Sequence, residues 1–324
     1  MNDLVTVFGA SGFVGRHVVR RLALGGWRIR AVCRHPNLAN FLLPDGAPGQ
    51  IQIVAGNVRD AQNVAKALKG AAAAVNLVGI LYERGRQSFE AMHVDAAGTI
   101  ARAARKAGIE TLVHFSAVGA DRTAEARYAQ TKGEGEWRGC DEYPDAVILR
   151  PSLVFGPEDA FFNTFAWLAR YAPFLPLVGG GETRFQPVYA GDVAAAVQRA
   201  ISGASARGKT FELGGPNIYT FRELIRFAMR ESGHVRPLVP LPTVAAKIAA
   251  FFLQMPSHML PVAPLLTVDQ VRLLKSDNVV GKNVPTLADL GIVPQAMEGV
   301  VPLYLRRFRP EGEYSAASNA SAKP

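Results

Sequence analysis

The sequence LVTVFGASGFVG at residues 4–15 decides the fold class of this chain. Its first five residues form a short apolar run with β-branched side chains, which is typical of a buried parallel strand. Apolar residues then recur at helical spacing over 13–24, and a glycine pair ends that pattern. Gly9, Gly12 and Gly15 therefore lie where a strand turns into a helix, which is the setting of a phosphate-binding turn.

Each glycine of this turn has its own role in binding a dinucleotide. Gly9 lets the chain turn tightly, Gly12 lets the backbone approach a pyrophosphate, and Gly15 allows the helix to pack closely on the strand. The first N–H groups of a helix have no intrahelical partner and carry a partial positive charge, so they favour phosphate. A glycine-rich turn without a ligand is the alternative, but the flanking strand and helix favour a dinucleotide site.

The end of the second predicted strand, at 28–34, indicates which dinucleotide to expect. A carboxylate there would bind the ribose hydroxyls of NAD and repel a 2′-phosphate. Here no Asp or Glu occurs between Arg16 and Pro44, and the strand ends at Arg34. A guanidinium can bind a phosphate through two charge-assisted hydrogen bonds, and Arg16 can add a contact from the helix. The sequence therefore predicts NADP(H), the alternative being that Arg34 is a solvated surface arginine.

Strand-like and helix-like segments alternate through the first half of the chain. The predicted strands are 4–8, 28–34, 50–55, 73–78, 111–116 and 146–150, and the predicted helices are 13–24, 61–68, 89–107 and 127–138. Such alternation implies right-handed βαβ units and a parallel sheet. The expected fold is α/β: a Rossmann doubly wound parallel sheet with a smaller, interleaved, mostly helical C-terminal lobe.

The composition of the sequence changes after Pro151, where prolines and glycines become frequent and several of the predicted helices are short. We expect an NADP(H)-binding Rossmann domain at 1–155 and a C-terminal lobe at 156–310. Within that lobe, residues of about 185–215 are expected to return to the Rossmann core. The Ser/Ala-rich segment 311–324 is expected to be a disordered tail.

Composition narrows the function classes. The formal net charge of +9 over 324 residues favours anionic partners such as a dinucleotide, an acidic protein or anionic lipid. No motif that combines basic and aromatic residues for nucleic acid occurs, so no nucleic-acid partner is expected. Cys33 and Cys140 have no metal-ligand or redox spacing, and no metal site is expected. The richest apolar run, 244–255, is too short to span a bilayer and contains Lys247, so no transmembrane span is expected.

The spacing Gly-x-x-Gly-x-x-Gly, followed by YAQTK at 128–132, resembles the short-chain dehydrogenase/reductase superfamily in its extended and atypical branches. The resemblance implies that NVRD at 57–60 contacts adenine, that LVG at 77–79 lies against the cofactor, and that LRPSLVFG at 149–156 lies near the nicotinamide. The residues expected to bind the cofactor are Gly9, Ser11, Gly12, Phe13, Val14, Gly15, Arg16, Arg34, Asn57, Val58, Leu77, Val78, Gly79, Ser116, Tyr128, Lys132, Pro151 and Leu153.

The same resemblance implies three catalytic candidates, Tyr128, Lys132 and Ser116. Tyr128 would exchange a proton with a substrate, while Lys132, four residues later on the same helix face, would lower the tyrosine pKa and hold the ribose. Val118 occupies the place where many extended members carry the catalytic hydroxyl, which leaves Ser116 as the nearby substitute. His93 stands in the place of an assisting asparagine and is expected to be packed rather than to act as a base. Catalysis and a purely binding role both remain open.

A closer resemblance comes from segments outside the generic cofactor motifs. RPSLVFGPED at 150–159, FFNTF at 161–165, QPVYAGDV at 186–193 and LADLGI at 287–292 resemble the NADPH-bearing accessory subunits of respiratory complex I and their bacterial relatives. This implies tightly bound NADPH, attachment near the membrane junction of NADH:quinone oxidoreductase, and no established turnover. Asp192, within the third segment, is expected to cap a helix or to anchor a neighbouring segment.

Two further functions remain as alternatives: an NADPH-dependent reductase of a quinone-like or other apolar carbonyl, and a nucleotide-sugar epimerase or dehydratase. The apolar stretch 238–266 and the basic RRFR at 306–309 are expected to face complex I subunits or a membrane surface, although 238–266 can also be an ordinary core helix pair. Strand-like sequence begins at Leu4, which leaves no room for a targeting peptide. We therefore expect a cytoplasmic protein, peripheral on the inner membrane, or on the matrix side if organellar.

Overall fold

The computed structural model describes residues 3–259, 264, 266–310 and 312; side chains are described throughout these ranges except at 255–259. The first half of the chain alternates strands and helices as the sequence pattern predicts. Its elements are β1 (Leu4–Phe8), α1 (Phe13–Leu24), β2 (Arg28–Cys33), β3 (Ile51–Ala55), α2 (Ala61–Leu68), β4 (Ala73–Asn76), α3 (Ala96–Lys106), β5 (Thr111–Phe115), α4 (Arg127–Glu142) and β6 (Val147–Pro151).

The second half contains shorter strands and most of the remaining helices. Its elements are β7 (Val154–Phe155), α5 (Phe161–Tyr171), β8 (Leu175–Val178), β9 (Arg184–Phe185), β10 (Val188–Tyr189), α6 (Ala190–Ser202), β11 (Thr210–Leu213), β12 (Tyr219–Thr220), α7 (Phe221–Glu231), β13 (Leu238–Leu241), α8 (Thr243–Met259), α9 (Val268–Leu273) and α10 (Met297–Leu305). Short 3₁₀ turns lie at Pro36–Leu38, Asn40–Asp45, Gly179–Gly181, Ala204–Ala206, Ala288–Leu290 and Arg306–Phe308.

One helix differs in kind from the expectation. The long helix predicted at 89–107 is present, but its first part, Glu90–Asp95, is a wider π-helical segment that runs directly into α3. Another helix is longer than predicted, because α4 continues to Glu142.

Seven strands form one parallel sheet in the order β11-β6-β5-β4-β1-β2-β3. The strand order reverses between β1 and β4, which confirms the expected doubly wound α/β fold. The edge strand β11 comes from the second half of the chain and pairs with β6 in register, Phe211 opposite Leu149. In this architecture ligands bind outside the carboxyl ends of the strands, at the point of reversal. The carboxyl ends of β1 and β4 therefore mark where a site is expected.

Helices cover both faces of the sheet. α1 and α6 pack on one face through buried residues such as Val18, Leu22 and Val197, while α2 and α3 pack on the other through residues such as Val64 and Ile100. Apolar burial on both faces is the main stabilising contribution in such a sheet.

The rest of the second half has its own core. Phe162 of α5 lies edge-to-face with Phe155 of β7 and Phe227 of α7, with ring centroids about 6 Å apart. Met297 and Val301 of α10 belong to the same buried cluster. The boundary expected near residue 155 stays a prediction. The tail predicted at 311–324 falls outside the described residues except for Gly312.

Within the part of the chain that the structure describes, no helix is long and apolar enough to cross a membrane. Its His, Cys, Asp and Glu side chains form no group of three or more that could hold a metal ion. Cys33 is buried and Cys140 is half-buried, and both are free thiols.

Candidate functional site

The turn between β1 and α1 fits only glycine at its key positions. Gly9 has a φ of +81°, in the left-handed region that favours glycine, and a Cβ there would lie 3.1 Å from the backbone carbon of Leu77. A Cβ on Gly15 would lie 2.3 Å from the Gly9 carbonyl oxygen and 2.6 Å from that of Ala10. The turn is therefore packed backbone against backbone, between the carboxyl ends of β1 and β4.

The start of α1 is open to an anion. The residue before its first turn, Gly12, has no side chain to cap the helix, and the first turn holds no acidic residue. The Arg16 N–H donates to the Gly12 carbonyl at 3.1 Å, which is the first regular hydrogen bond of the helix. The N–H groups of 13–15 come before it and have no acceptor one turn earlier in the helix. These groups can bind phosphate oxygens, with the helix dipole adding a favourable charge.

Arg34 directly follows β2, is exposed, and has no hydrogen bond or ion pair to any other described residue. Arg16 is already engaged: its Nη1 lies 3.1 Å from Glu158 and its guanidinium lies 4.4 Å over the Phe41 ring. Its buried Nε has no acceptor among the described residues. Arg34 is therefore the available guanidinium, whereas a phosphate contact by Arg16 would compete with Glu158.

The segment after β3 lies beside Arg34, because β2 and β3 are neighbours in the sheet. Asn57 is exposed there, and its Oδ1 accepts the Arg59 N–H at 3.2 Å. Val58 is buried, and Asp60 caps α2 by accepting the Gln62 N–H at 2.9 Å. The placement suits contacts with the adenosine half of a dinucleotide.

The carboxyl end of β4 carries a buried polar pair that the sequence analysis did not identify. The Asn76 Oδ1 accepts the Val78 N–H at 3.1 Å, and its Nδ2 donates to the His114 Nδ1 at 3.0 Å. The first of these bonds ends β4 at Asn76, two residues before the predicted end. His114 is neutral, since burial lowers its pKa to about 3, and its Nε2 has no partner within the described residues. A single polar residue inside the apolar run AAVNLVG was the available signal.

Lys132 lies at the centre of the site. Its Nζ donates to the Phe115 carbonyl at 3.0 Å and would lie 3.2 Å from a Cβ on Gly79, so this glycine makes room for the amine. Burial lowers the pKa of Lys132 to about 8. The structure thus brings together the ends of β4 and β5 with the lysine of α4.

Tyr128 is half-buried one turn before Lys132, edge-on to the rings of His93 and Phe89 at 5.4 and 6.1 Å. Its hydroxyl has no hydrogen-bond partner in the described part of the chain. Burial raises the tyrosine pKa to about 12. Desolvation dominates here, and the lowering of this pKa by Lys132 that the resemblance implies stays a prediction.

The third catalytic candidate, Ser116, is 1% exposed, and its Oγ has no partner among the described residues. Its N–H donates to the Leu149 carbonyl at 2.7 Å, which places it at the carboxyl end of β5. Val118 is buried and holds no hydroxyl. A buried hydroxyl without a partner costs free energy, so Ser116 is suited to bind a ligand oxygen or an ordered water.

Pro151 is the last residue of β6, and Leu153 follows two residues later. The Pro151 carbonyl accepts the Val118 N–H at 3.0 Å, and the Leu153 carbonyl accepts the Val188 N–H at 2.9 Å. Both residues therefore lie at the same edge of the sheet as the other predicted contacts.

His93 is a packed residue, as expected. Its Nε2 accepts the Ile80 N–H at 3.2 Å, so the proton is assigned to Nδ1, which donates to the Thr131 Oγ1 at 3.0 Å. The ring stacks on Phe89 at 5.3 Å, and burial lowers the His93 pKa to about 2. A base that cannot be protonated near neutral pH does not act as a proton acceptor there.

The two buried neutral histidines predict acid destabilisation. Unfolding restores a pKa of about 6.5, so below that pH the unfolded chain binds protons that the native chain does not. The free energy of unfolding should therefore fall by up to about 1.4 kcal/mol per pH unit for each of His93 and His114. Urea unfolding at pH 8, 6 and 5 should give a shallower loss in His93→Gln, by about 1 kcal/mol between pH 6 and 5. An unchanged slope would contradict the neutral state of His93.

Asp192 is an anchor and not the helix cap that was its alternative. It lies in the first turn of α6, and its Oδ2 accepts the Gln295 N–H at 2.7 Å. This bond joins α6 to the segment before α10.

The reversal of strand order between β1 and β4, the glycine turn beside it and the Tyr128–Lys132 pair are features of Rossmann-type proteins of the short-chain dehydrogenase/reductase class. The model of the NAD dependent epimerase/dehydratase family matches residues 5–214, and the chain belongs to this family.

Its relatives include the mitochondrial NADH dehydrogenase [ubiquinone] 1 alpha subcomplex subunit 9 of Arabidopsis thaliana, 33% identical over 316 residues that cover 95% of this chain and 79% of the relative. Ceramide reductase of Caulobacter vibrioides is 29% identical over 245 residues, 74% of each chain. Among solved structures, the NADPH-dependent quinone oxidoreductase QOR2 of Escherichia coli with NADPH has the same fold, with a TM-score of 0.72 at 21% identity over 93% of this chain and 99% of that one.

Proposed function

We propose that this chain holds NADP(H) as a structural cofactor and serves as an accessory or assembly subunit of NADH:quinone oxidoreductase, respiratory complex I. The observation that carries the cofactor choice is Arg34, an exposed guanidinium without a protein partner at the carboxyl end of β2. A 2′-phosphate gives that charge a partner, and the ribose of NAD does not. The complex I role is supported by the relationship to subunit 9 over nearly the whole chain.

A structural cofactor needs no turnover to be useful. A ligand that binds only the native state stabilises it by mass action, by about 2.7 kcal/mol when its concentration is a hundred times its Kd. Two features of the site favour this role over carbonyl reduction. Burial raises the pKa of Tyr128 to about 12, which makes its hydroxyl a weaker acid toward a carbonyl oxygen, and Val118 stands where the resemblance implies a catalytic hydroxyl.

The docking surface that we propose is one face of α8, formed by Val244, Ile248, Phe251 and Phe252 and called here the α8 face. These side chains are 52–70% exposed and follow helical spacing, so they form one apolar stripe. The opposite side of α8 is its packing side, where Ala246 and Ala250 are buried. The packing of α8 in the core therefore takes place through its alanines, and the large apolar side chains of the α8 face remain exposed for a partner.

Other aromatic and basic residues of the second half of the chain are exposed as well. Trp167 and Tyr171 of α5 are exposed, with their rings 5.3 Å apart, and Arg170 lies over the tyrosine. Arg306 and Arg307 are also exposed. Such residues suit the boundary between an apolar phase and anionic headgroups. We therefore place the chain as a peripheral protein at the membrane junction of the complex, on the cytoplasmic side or the matrix side if organellar.

Co-purification tests this proposal. Tagged wild-type chain should migrate with the respiratory complex on native gels and retain NADP(H). Tyr128→Phe should also migrate with the complex, because docking through the α8 face does not use the tyrosine hydroxyl. The double variant Phe251→Ser/Phe252→Ser should lose most of this association, since it makes the α8 face polar. The matched control is Trp137→Ser, which changes an exposed aromatic residue of α4 and should associate like wild type.

The proposal fails if wild type does not migrate with the complex, or if the double variant associates as well as wild type. The competing function is an NADPH-dependent reductase of an apolar carbonyl, and the Ser116 Oγ, buried without a partner among the described residues, favours it. Steady NADPH oxidation with a quinone, lost in Tyr128→Phe, would establish that function instead.

A further inference from the structure

The helix that carries Tyr128 and Lys132 has no cap of its own. α4 begins at Arg127, and the preceding residue, Ala126, has no side chain that could accept a hydrogen bond. Asp269, 142 residues later in the chain, supplies the cap: its Oδ1 accepts the Arg127 N–H at 2.8 Å and its Oδ2 accepts the Tyr128 N–H at 2.9 Å. A carboxylate at this end also interacts favourably with the dipole of α4.

Asp269 is held in place by the local structure of α9. Thr267 and Gln270 form a capping box, in which the Gln270 N–H donates to the threonine Oγ1 at 3.1 Å and the glutamine Oε1 accepts the Thr267 N–H at 2.9 Å. Val271, which follows Gln270, is fully buried and packs with Ala246 and Ala250 of α8. The carboxylate is therefore fixed to the same two-helix unit that presents the α8 face.

Ion pairs join the same elements more weakly. Glu125, just before α4, lies 2.9 Å from the Lys275 Nζ and 3.8 Å from the Lys247 Nζ of α8. All three side chains are substantially exposed, and exposed pairs contribute little to stability. The two backbone hydrogen bonds of the less exposed Asp269 are therefore the main polar link between α9 and α4.

We propose that Asp269 is a positioning residue of the cofactor site and couples it to the α8 face. It fixes the first turn of α4, where Tyr128 lies, and the direction in which the helix carries Lys132 toward Gly79 and the end of β5. A contact that changes the position of α8 and α9 must then change cofactor affinity, and cofactor binding must change docking by the same factor. The proposal rests on the proposed binding of NADP(H).

The test uses full-length, cofactor-free protein at 15 °C and measures the Kd for NADPH by calorimetry. Asp269→Ala should weaken binding about ten-fold, because the first turn of α4 is no longer held. Asp269→Asn should recover part of the loss, since its amide oxygen still accepts one N–H. The control is Asp289→Ala, which removes a carboxylate of similar local role, an acceptor for the Thr286 N–H at 2.7 Å, and should bind within about two-fold of wild type.

Hydrogen exchange separates positioning from simple destabilisation. In wild type, NADPH should slow amide exchange in α9 although the cofactor lies at the sheet edge, and in Asp269→Ala this protection should disappear. A residue with only a stabilising role would lower the Tm of Asp269→Ala but leave the Kd of the folded protein unchanged, and that result would overturn the inference. If wild type itself binds no NADPH, the proposed function fails first.

Discussion

Arg34→Ala is expected to weaken the binding of NADPH by about ten- to a hundred-fold and to change the binding of NADH by less than about two-fold. Hydrogen bonds between a guanidinium and a phosphate are charge-assisted, and each is worth more than a neutral one. NADH lacks the 2′-phosphate, so removal of Arg34 costs it no such contact. Because Arg34 is exposed and has no partner among the described residues, its loss leaves no buried charge uncompensated.

The control for this variant is Arg28→Ala. Arg28 is an exposed arginine at the amino end of the same strand, so the change removes an equal charge at the opposite edge of the sheet. Arg28→Ala should leave the affinities for NADPH and NADH within about two-fold of wild type, apart from a small, salt-dependent loss of long-range attraction. Titrations of wild type, Arg34→Ala and Arg28→Ala with NADPH and with NADH measure these affinities. Equal losses of NADPH and NADH in Arg34→Ala would contradict the assignment of the 2′-phosphate to this residue.

Gly15→Ala is expected to have the largest effect on the fold and to abolish NADPH binding. The added Cβ would lie 2.3 and 2.6 Å from two carbonyl oxygens of the turn between β1 and α1, so turn and helix must separate. Overpacking of this kind costs about 1–3 kcal/mol, more than the roughly 1 kcal/mol that alanine gains over glycine in a helix. The displaced N–H groups would no longer meet the pyrophosphate, and the Tm should fall by several degrees.

Gly139→Ala gives the matched control, because this glycine also lies in a helix but a Cβ there would meet no described atom within 4 Å. It should raise stability by up to about 1 kcal/mol and leave NADPH binding unchanged. Thermal unfolding with and without NADPH measures both effects. A Gly15→Ala protein that retains a cofactor-dependent Tm shift would show that the turn is not where the phosphates bind.

Local sequence patterns were sufficient to predict the fold class and to place many residues of the candidate site on strands, turns and helices. Strand and helix periodicity predicted the alternation that places β1 and β4 side by side, and glycine spacing identified the turn between β1 and α1. The spacing of Tyr128 and Lys132 placed both on one side of α4. These features depend on residues that are close in sequence, so the sequence carries them directly.

The features that were missed depend on contacts between distant segments. Asp269 reaches the start of α4 across 142 positions, and Glu158 engages Arg16 from the loop after β7. The pairing of Asn76 with His114 follows from the order of strands in the sheet. The raised pKa of Tyr128 comes from the rings that surround it, which no local pattern reports.

The central claim is that the N–H groups at the start of α1, together with Arg34, hold the phosphates of NADP(H). Calorimetric titration of NADPH into folded, cofactor-free wild-type protein tests it most directly. We expect saturable heat at one site per chain, a higher Tm in the presence of NADPH, and clearly weaker binding of NADH. A folded protein that gives neither heat nor a thermal shift with NADPH would contradict the account.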